Sequence, residues 1–150
     1  MIRISSLRNL PIICGGQQIG ILQNATFDAA QKRVCALIAS CGFRGKRIIR
    51  ADEVLSVTDS FILAEASKEY RRSRDAASCR FVRDSTGILS GYVTDYAIDE
   101  VTLAVIAIEI TQSHLPSAQK KRIWAYEYSR PSSESEELIV PSCLGSELKI

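Results

Sequence analysis

The chain has 150 residues, of which 46% are hydrophobic and 24% are charged, and its formal net charge is +2 at pH 7. This composition excludes a largely disordered chain, and no run approaches the roughly 20 apolar residues that a membrane-spanning helix needs. Five cysteines without a Cys-x-x-Cys pair fit a reducing compartment better than a disulfide framework, so we expect a cytoplasmic protein with no membrane span.

The first half of the chain reads as a series of short β-strands. Residues 17–27 form an extended segment and residues 32–40 form a second one, with a turn between them in which Asp28 bonds to nearby backbone groups. A basic cluster then leads into a further strand. The apolar run at 61–63 supplies the last strand of this half.

After a segment at 64–77 that is predicted to be helix or coil, the second half has the same predicted order of strands and turns. A turn at 84–87 leads into a strand at 89–98, and an acidic turn precedes a strand at 101–111. A basic cluster again enters a strand, and the chain closes on the apolar run at 138–140. Many short strands separated by turn signals predict an all-β barrel or sandwich.

The two halves are copies of one module, because identical residues recur at an offset of 71. The pairs are Gly16 and Gly87, Gly20 and Gly91, Asp28 and Asp99, Val34 and Val105, and Ala36 and Ala107. Such a period indicates a duplicated module, which we place at 1–63 and 78–150 with 64–77 as the linker. Glycine inside the strands, at 20 and 91, marks a bulge or a tight bend. Beyond the strands, the alignment of Lys46-Arg47-Ile48 with Lys121-Arg122-Ile123 predicts an offset of 75.

Two segments, 34–39 and 101–110, are apolar on both faces, which is typical of strands buried on both sides. This pattern predicts that the halves pack against each other, with a homodimer as the alternative way of covering the remaining face. Cys35 lies within the apolar pattern and is expected to be buried.

The glycine spacing and the opening segment at 1–8 together resemble the PRC-barrel family. In that family an aspartate follows the second glycine by four residues, and this position is Asn24 in the first copy and Asp95 in the second. The family includes the cytoplasmic domain of the photosynthetic reaction-centre H subunit. It is also similar to the second domain of a bacterial ribosome-maturation factor, and small free-standing members are associated with sporulating bacteria.

The resemblance implies two tandem PRC-like small β-barrels that serve as docking modules, without catalytic residues or cofactors. The residues agree with a protein that is not an enzyme. His114 is the only histidine and is expected in a surface loop, because a triad or a metal site around it would need distant Cys or Asp partners. Cys35 and Cys41 do not have the spacing of a zinc site, and the glycines are not followed by the Lys-Ser or Lys-Thr of a phosphate-binding loop. We expect no catalytic, cofactor or metal residues.

Three basic clusters are the candidate partner-binding residues. They are Arg44, Lys46 and Arg47 with Arg50 nearby; Arg71, Arg72 and Arg74; and Lys120, Lys121 and Arg122. Residues 1–75 contain 12 Lys and Arg against 7 Asp and Glu, whereas residues 76–150 contain 7 against 10. We expect a non-enzymatic bacterial adaptor, related to sporulation, that binds another protein. The alternative is a ribosome- or RNA-associated maturation factor that contacts phosphate through these clusters.

Overall fold

The computed structural model describes residues 1–28, 32–65, 81–112, 121–131 and 137–141. Within these ranges the regular structure is almost entirely β, which confirms the predicted all-β class. In chain order the elements are β1 (Ile2–Arg3), α1 (Ile4–Leu7), β2 (Pro11–Cys14), β3 (Gln17–Asp28), β4 (Arg33–Ser40), β5 (Lys46–Arg50), β6 (Val54–Val57), β7 (Ile62–Ala64), β8 (Phe81–Asp84), β9 (Leu89–Ile98), β10 (Val105–Thr111), β11 (Arg122–Ala125) and β12 (Glu137–Val140). Short 3-10 turns at Gly42–Arg44 and Ala51–Glu53 flank β5.

The strands form two six-stranded sheets, one from each half of the chain. The first sheet has the order β5-β4-β3-β2-β7-β6. The second has the order β11-β10-β9-β8-β12, and β1 from the first half pairs with β9. Strand β7 pairs with β2 in parallel in the first sheet, as β12 does with β8 in the second, and the other neighbours are antiparallel. No pairing among the described residues joins the two outer strands of either sheet, so each sheet is open there.

The predicted repeat is reproduced in the hydrogen-bonding register. All six residue pairs between β9 and β10 have a counterpart between β3 and β4 at an offset of 71, and both strand pairs carry irregularities at equivalent positions. Ile21 opposite Ser40, for example, corresponds to Tyr92 opposite Thr111. The strands predicted at 17–27, 32–40 and 89–98 are therefore confirmed to within a residue.

The strand predicted at 101–111 begins four residues later than expected. Val101 is 87% exposed and lies in the turn between β9 and β10. The Asp99 carboxylate accepts hydrogen bonds from the amides of Val101 (3.0 Å) and Thr102 (2.7 Å), which holds those residues in a turn. Leu103 has a φ of 57° and completes the turn before β10 starts. The hydrogen bonds to Asp99 therefore determine the structure of this segment, although its apolar pattern is typical of a strand.

The predicted alignment of the basic clusters is wrong by one residue. Lys46 lies opposite Ser40, and Arg122 lies opposite Thr111, which makes Lys46 and Arg122 equivalent at an offset of 76. Side chains alternate between the two faces of a strand, so a shift of one residue moves every side chain to the other face.

The repeated glycines at 20 and 91 occupy places where another strand leaves no room for a side chain. A Cβ on Gly20 would lie 2.5 Å from the Ser40 carbonyl oxygen, and a Cβ on Gly91 would lie 2.2 Å from the Thr111 carbonyl oxygen. A register irregularity in the pairing of β2 with β3, and of β8 with β9, accompanies each glycine. The predicted bulge positions are therefore confirmed, and close backbone approach is their cause.

The two halves contact each other through the starts of β4 and β10. The Val34 amide donates to the Leu103 carbonyl (2.9 Å), and the Val105 amide donates to the Lys32 carbonyl (2.7 Å). Val34 and Val105 are repeat equivalents, and so are Lys32 and Leu103. The two bonds are thus related by a local pseudo-two-fold axis, as expected for a duplicated module whose halves pack together.

Buried residues from both halves form one hydrophobic cluster, which includes Leu37 and Ile108 at 0% exposure. The Phe27 and Tyr96 rings stack with a centroid separation of 3.7 Å and join the two sheets. Cys35, predicted to be buried, is exposed. Ala64, predicted to open the linker, is a buried residue of β7; most of that linker lies outside the described residues.

Candidate functional site

The turn between β4 and β5 projects an aromatic side chain into solvent. Gly42 and Gly45 have φ values of 64° and 82°, which favour glycine. The Cys41 amide donates to the Gly45 carbonyl (2.8 Å), and the Gly45 amide donates to the Gly42 carbonyl (3.1 Å). These bonds define the turn and leave the Phe43 side chain fully exposed, at 113% of its reference area.

The first basic cluster divides between two faces of the sheet. Arg44 and Lys46 are exposed beside Phe43, but Arg47 is only 8% exposed. Arg47 lies opposite Ala39, a core residue, whereas Lys46 lies opposite Ser40. The prediction that all three cations share a partner-binding surface is therefore wrong for Arg47, because neighbouring strand residues point in opposite directions.

Strand β5 is an outer strand of its sheet in the described part of the chain. One edge pairs with β4, and the opposite edge presents backbone donors and acceptors of the kind that another strand can join. Ile48 on this strand is half-buried, and Arg50 is exposed with an ion pair to Asp52 at 3.2 Å. We call Phe43, Arg44, Lys46 and the outer edge of β5 the β5 surface.

The other basic clusters lie elsewhere. Lys121 and Arg122 are exposed at the start of β11, in the second sheet. Lys120 and the cluster formed by Arg71, Arg72 and Arg74 fall outside the described residues. The described cations of these clusters are thus divided between the two halves, and Arg44 and Lys46 are exposed within three residues of an exposed aromatic side chain.

Asp95, the aspartate four residues after Gly91, is hydrogen-bonded to the N-terminal segment. Asp95 is 7% exposed and accepts hydrogen bonds from the Ser5 amide (3.1 Å), the Ser5 hydroxyl and the Tyr96 amide (2.8 Å). Its counterpart Asn24 is exposed and accepts a bond from the Ala25 amide (2.9 Å). Asp95 therefore has a structural role, and sequence spacing could not reveal a partner 90 residues away.

The turn acids are structural as well. Asp84 accepts bonds from the Thr86 hydroxyl (2.6 Å) and the Ile88 amide (2.9 Å), and these bonds lower the pKa of its carboxyl group. Bonds from the Thr102 amide and hydroxyl likewise lower the pKa of Asp99. Asp28 ends β3 opposite Arg33, and the rest of its predicted turn lies outside the described residues. Gly16 and Gly87 occupy turns with positive φ.

A shallow cleft of about 570 Å³ lies where the first half meets the second. It is lined by side chains that include Lys32, Glu127 and Tyr128, and the Lys32 ammonium stands 4.8 Å from the centre of the Tyr128 ring. In the described part of the chain, no group of three or more His, Cys, Asp or Glu side chains is placed to hold a metal ion. His114 lies outside the described residues.

A scan of the chain against protein-family models found no match, and a search of curated proteins found none either. The PRC-barrel resemblance therefore stays a prediction from the sequence motifs. Among the described residues, no helix has the length and apolar character needed to cross a membrane.

Two residues that are prominent in the structure, Phe43 and Glu109, carry only weak signals in the sequence. Phe43 is flanked by a glycine on one side and Arg44-Gly45 on the other, a pattern that signals an exposed turn and could have drawn attention to its ring. Glu109 interrupts an apolar strand, and such an interruption is the usual sign of a buried charge with partners.

Proposed function

We propose that this protein is a non-enzymatic bacterial adaptor of the PRC-barrel type that binds another protein through the β5 surface. In this proposal each open sheet is the counterpart of one small β-barrel module. The observation that carries the proposal is the fully exposed Phe43 ring, held by a hydrogen-bonded turn beside Arg44 and Lys46.

The physical argument concerns what Phe43 contributes in the free protein. Burial of a Phe side chain is worth about 2–3 kcal/mol, and Phe43 contributes none of this to folding because it is exposed. Binding of a partner that covers the ring gains that free energy. Little conformational entropy is lost in ordering the turn, because two backbone hydrogen bonds already close it. Aromatic residues with this property are typical of binding hot spots.

The partner that fits the β5 surface is an extended protein segment with acidic side chains. Such a segment can add to the outer edge of β5 through backbone hydrogen bonds, while its carboxylates meet Arg44 and Lys46. The excess of basic residues in the first half of the sequence supports an acidic partner. A cytoplasmic partner linked to sporulation is part of the proposal, and a second copy of this chain is the competing occupant.

A pull-down from native cytosol tests the proposal. The bait is the full chain, compared with Phe43→Ala and with Val101→Ala, a matched control that removes another exposed apolar side chain from a turn in the other half. We expect at least one protein whose recovery survives ribonuclease treatment and Val101→Ala but falls about tenfold with Phe43→Ala. Equal recovery of every protein by all three baits would contradict the proposal. Light scattering on the purified chain separates self-association from a foreign partner.

An RNA-associated role is the second candidate, because an exposed aromatic beside two cations also suits a stacked base and its phosphates. Binding of a labelled single-stranded RNA should then weaken steeply with salt and should fall with Phe43→Ala. Replacement of Arg71, Arg72 and Arg74 together by Ala tests the second cluster. Unchanged ribosome co-sedimentation of that triple variant would exclude those arginines as phosphate contacts.

A further inference from the structure

One face of the second sheet packs in the main hydrophobic cluster, and we call the opposite face the outer face. This outer face contains a buried carboxylate. The Glu109 side chain, on β10, is 4% exposed, and its Oε1 accepts a hydrogen bond from the Thr94 hydroxyl at 2.8 Å. Thr111 on the same face lies 3.3 Å from the Thr94 hydroxyl. A buried carboxylate is costly unless cations and donors surround it, so its surroundings have to be explained.

Two arginines approach this carboxylate from different strands. Arg3 Nη1 lies 3.8 Å from Oε2 of Glu109, and Arg122 Nε lies 3.9 Å from Oε1. Both distances exceed a hydrogen bond, and the arginine side chains are 51% and 70% exposed. Glu109 therefore attracts both guanidinium groups to one face without using up their N–H donors, of which each group has five.

An aromatic ring positions one of the two arginines. The Arg3 guanidinium stands 4.9 Å from the centre of the Trp124 ring. Trp124 is itself 8% exposed and packs with Ala97 and Ala107 on the outer face. This contact restricts the Arg3 side chain before any ligand arrives, which lowers the entropic cost of using it for binding. We call Arg3, Glu109, Arg122 and Trp124 the Trp124 site.

We propose that the Trp124 site binds the carboxylate of an Asp or Glu side chain in a partner protein, between Arg3 and Arg122. Two guanidinium groups and one buried carboxylate leave a local excess of positive charge at a half-exposed surface. Guanidinium groups bind carboxylates through paired, charge-assisted hydrogen bonds. Both guanidinium-bearing side chains are at least half exposed, and neither lies within hydrogen-bond distance of Glu109.

The equivalent place in the first sheet lacks these groups. By register, Ile38 corresponds to Glu109, Ile48 to Trp124 and Lys46 to Arg122. The Trp124 site is thus a feature of the second half, and the proposal does not depend on binding at the β5 surface. If both surfaces bind, the protein is a connector with two unlike acidic-segment sites.

Trp124 is the only tryptophan of the chain, so fluorescence excited at wavelengths that the five tyrosines do not absorb reports this site. The probe is a blocked peptide of alternating Glu and Val, and the same peptide with Gln in place of Glu is its control, both at constant ionic strength. We expect a saturable change in Trp124 fluorescence with the Glu peptide and no saturable change with the Gln peptide.

Variants of the full chain assign the binding groups. Arg122→Gln and Arg3→Gln should each weaken binding of the Glu peptide about tenfold, the effect of one charge-assisted contact. Arg33→Gln, at an exposed position of β4 outside both proposed surfaces, should leave this binding unchanged. Arg122 is exposed on an outer strand, so Arg122→Gln should fold normally, and amide NMR spectra check this. No difference between the two peptides, or full affinity in Arg122→Gln, would overturn the proposal.

Discussion

The two halves of the molecule share a backbone register but differ on their outer faces. The core positions remain apolar: Leu37 in the first sheet and Ile108 in the second are equivalent and completely buried. On the outer face Ile38 is replaced by Glu109, with Thr94 and two arginines around it. The register and the apolar character of the core are thus common to both halves, whereas the side chains at these outward positions differ.

The difference between the halves has a physical basis. A change in the core must preserve volume and apolar character, because a cavity or an unpaired charge there costs several kcal/mol. A change on the outer face only requires that new polar groups find partners. β1 supplies one of these partners, since its pairing with β9 brings Arg3 over Trp124. The outer face of the second half therefore accommodates a charged cluster.

The largest expected effect comes from placing a charge on the core face of β10. Ile108→Asp should lower the free energy of unfolding by about 4 kcal/mol or more, because the carboxylate would be buried without a partner. Ile106→Asp, at a half-buried position two residues earlier, should cost clearly less. Urea denaturation followed by circular dichroism measures both. Equal losses would mean that the difference in burial between Ile106 and Ile108 does not decide the cost of the introduced charge. If Ile108→Asp does not fold, Ile108→Ala should cost about 3 kcal/mol.

Substitution of the repeated glycines tests whether both halves depend on the same close approach between a glycine and a carbonyl oxygen of the neighbouring strand. Gly91→Ala and Gly20→Ala should each lower the free energy of unfolding by about 3 kcal/mol, because the new Cβ would overlap a carbonyl oxygen of the neighbouring strand. Gly87→Ala and Gly16→Ala are matched controls with open space around the Cβ, and only their positive φ should cost them about 1 kcal/mol. Thermal denaturation measures all four variants. A control as destabilised as Gly91→Ala would show that conformation, rather than contact, explains the glycines.

The residue four positions after the second glycine also differs between the halves, being Asn24 in the first and Asp95 in the second. Asp95→Ala should cost about 2 kcal/mol, because the Ser5 amide and hydroxyl lose a buried acceptor. Asn24→Ala should cost less than about 1 kcal/mol, since Asn24 is exposed and accepts one local bond. Chemical denaturation supplies both values, and hydrogen exchange at residues 2–7 should speed up in Asp95→Ala alone. Similar losses for the two variants would contradict a special role for Asp95.

The smallest effect concerns acid stability. The pKa values of Asp84 and Asp99 are lowered in the folded state by hydrogen bonds to the ionised carboxylates. The stability they contribute is therefore complete above the unfolded pKa and is lost as pH falls through the folded pKa, in the range below about pH 4. Asp99→Asn should flatten the fall in melting temperature between about pH 5 and pH 2.

The matching variant Asp84→Asn should flatten the same part of the curve. The two turns are separate, so the effects should add in the double variant. An acid profile of the double variant identical to that of the unmodified chain would contradict the assignment.

Much of the fold could be predicted, whereas little of the candidate site could. Strands were found because apolar periodicity and turn residues are local signals, and the duplicated glycines aligned the two halves. The start of β10 was missed because Asp99 holds the following residues in a turn despite their apolar character. Arg47 was assigned to the wrong face, and Cys35 to the interior, because the predicted pattern did not resolve which side of each strand faces the core.

By itself the sequence determined the β class, the duplication and the positions of the strand glycines, because each depends on spacings that can be counted along the chain. Only the tertiary structure decided that Ser5 bonds to Asp95, that Arg3 and Arg122 flank Glu109, and that the Phe43 ring is fully exposed. Such contacts join residues far apart in the chain, and they depend on register and strand face, which change completely with a shift of one residue.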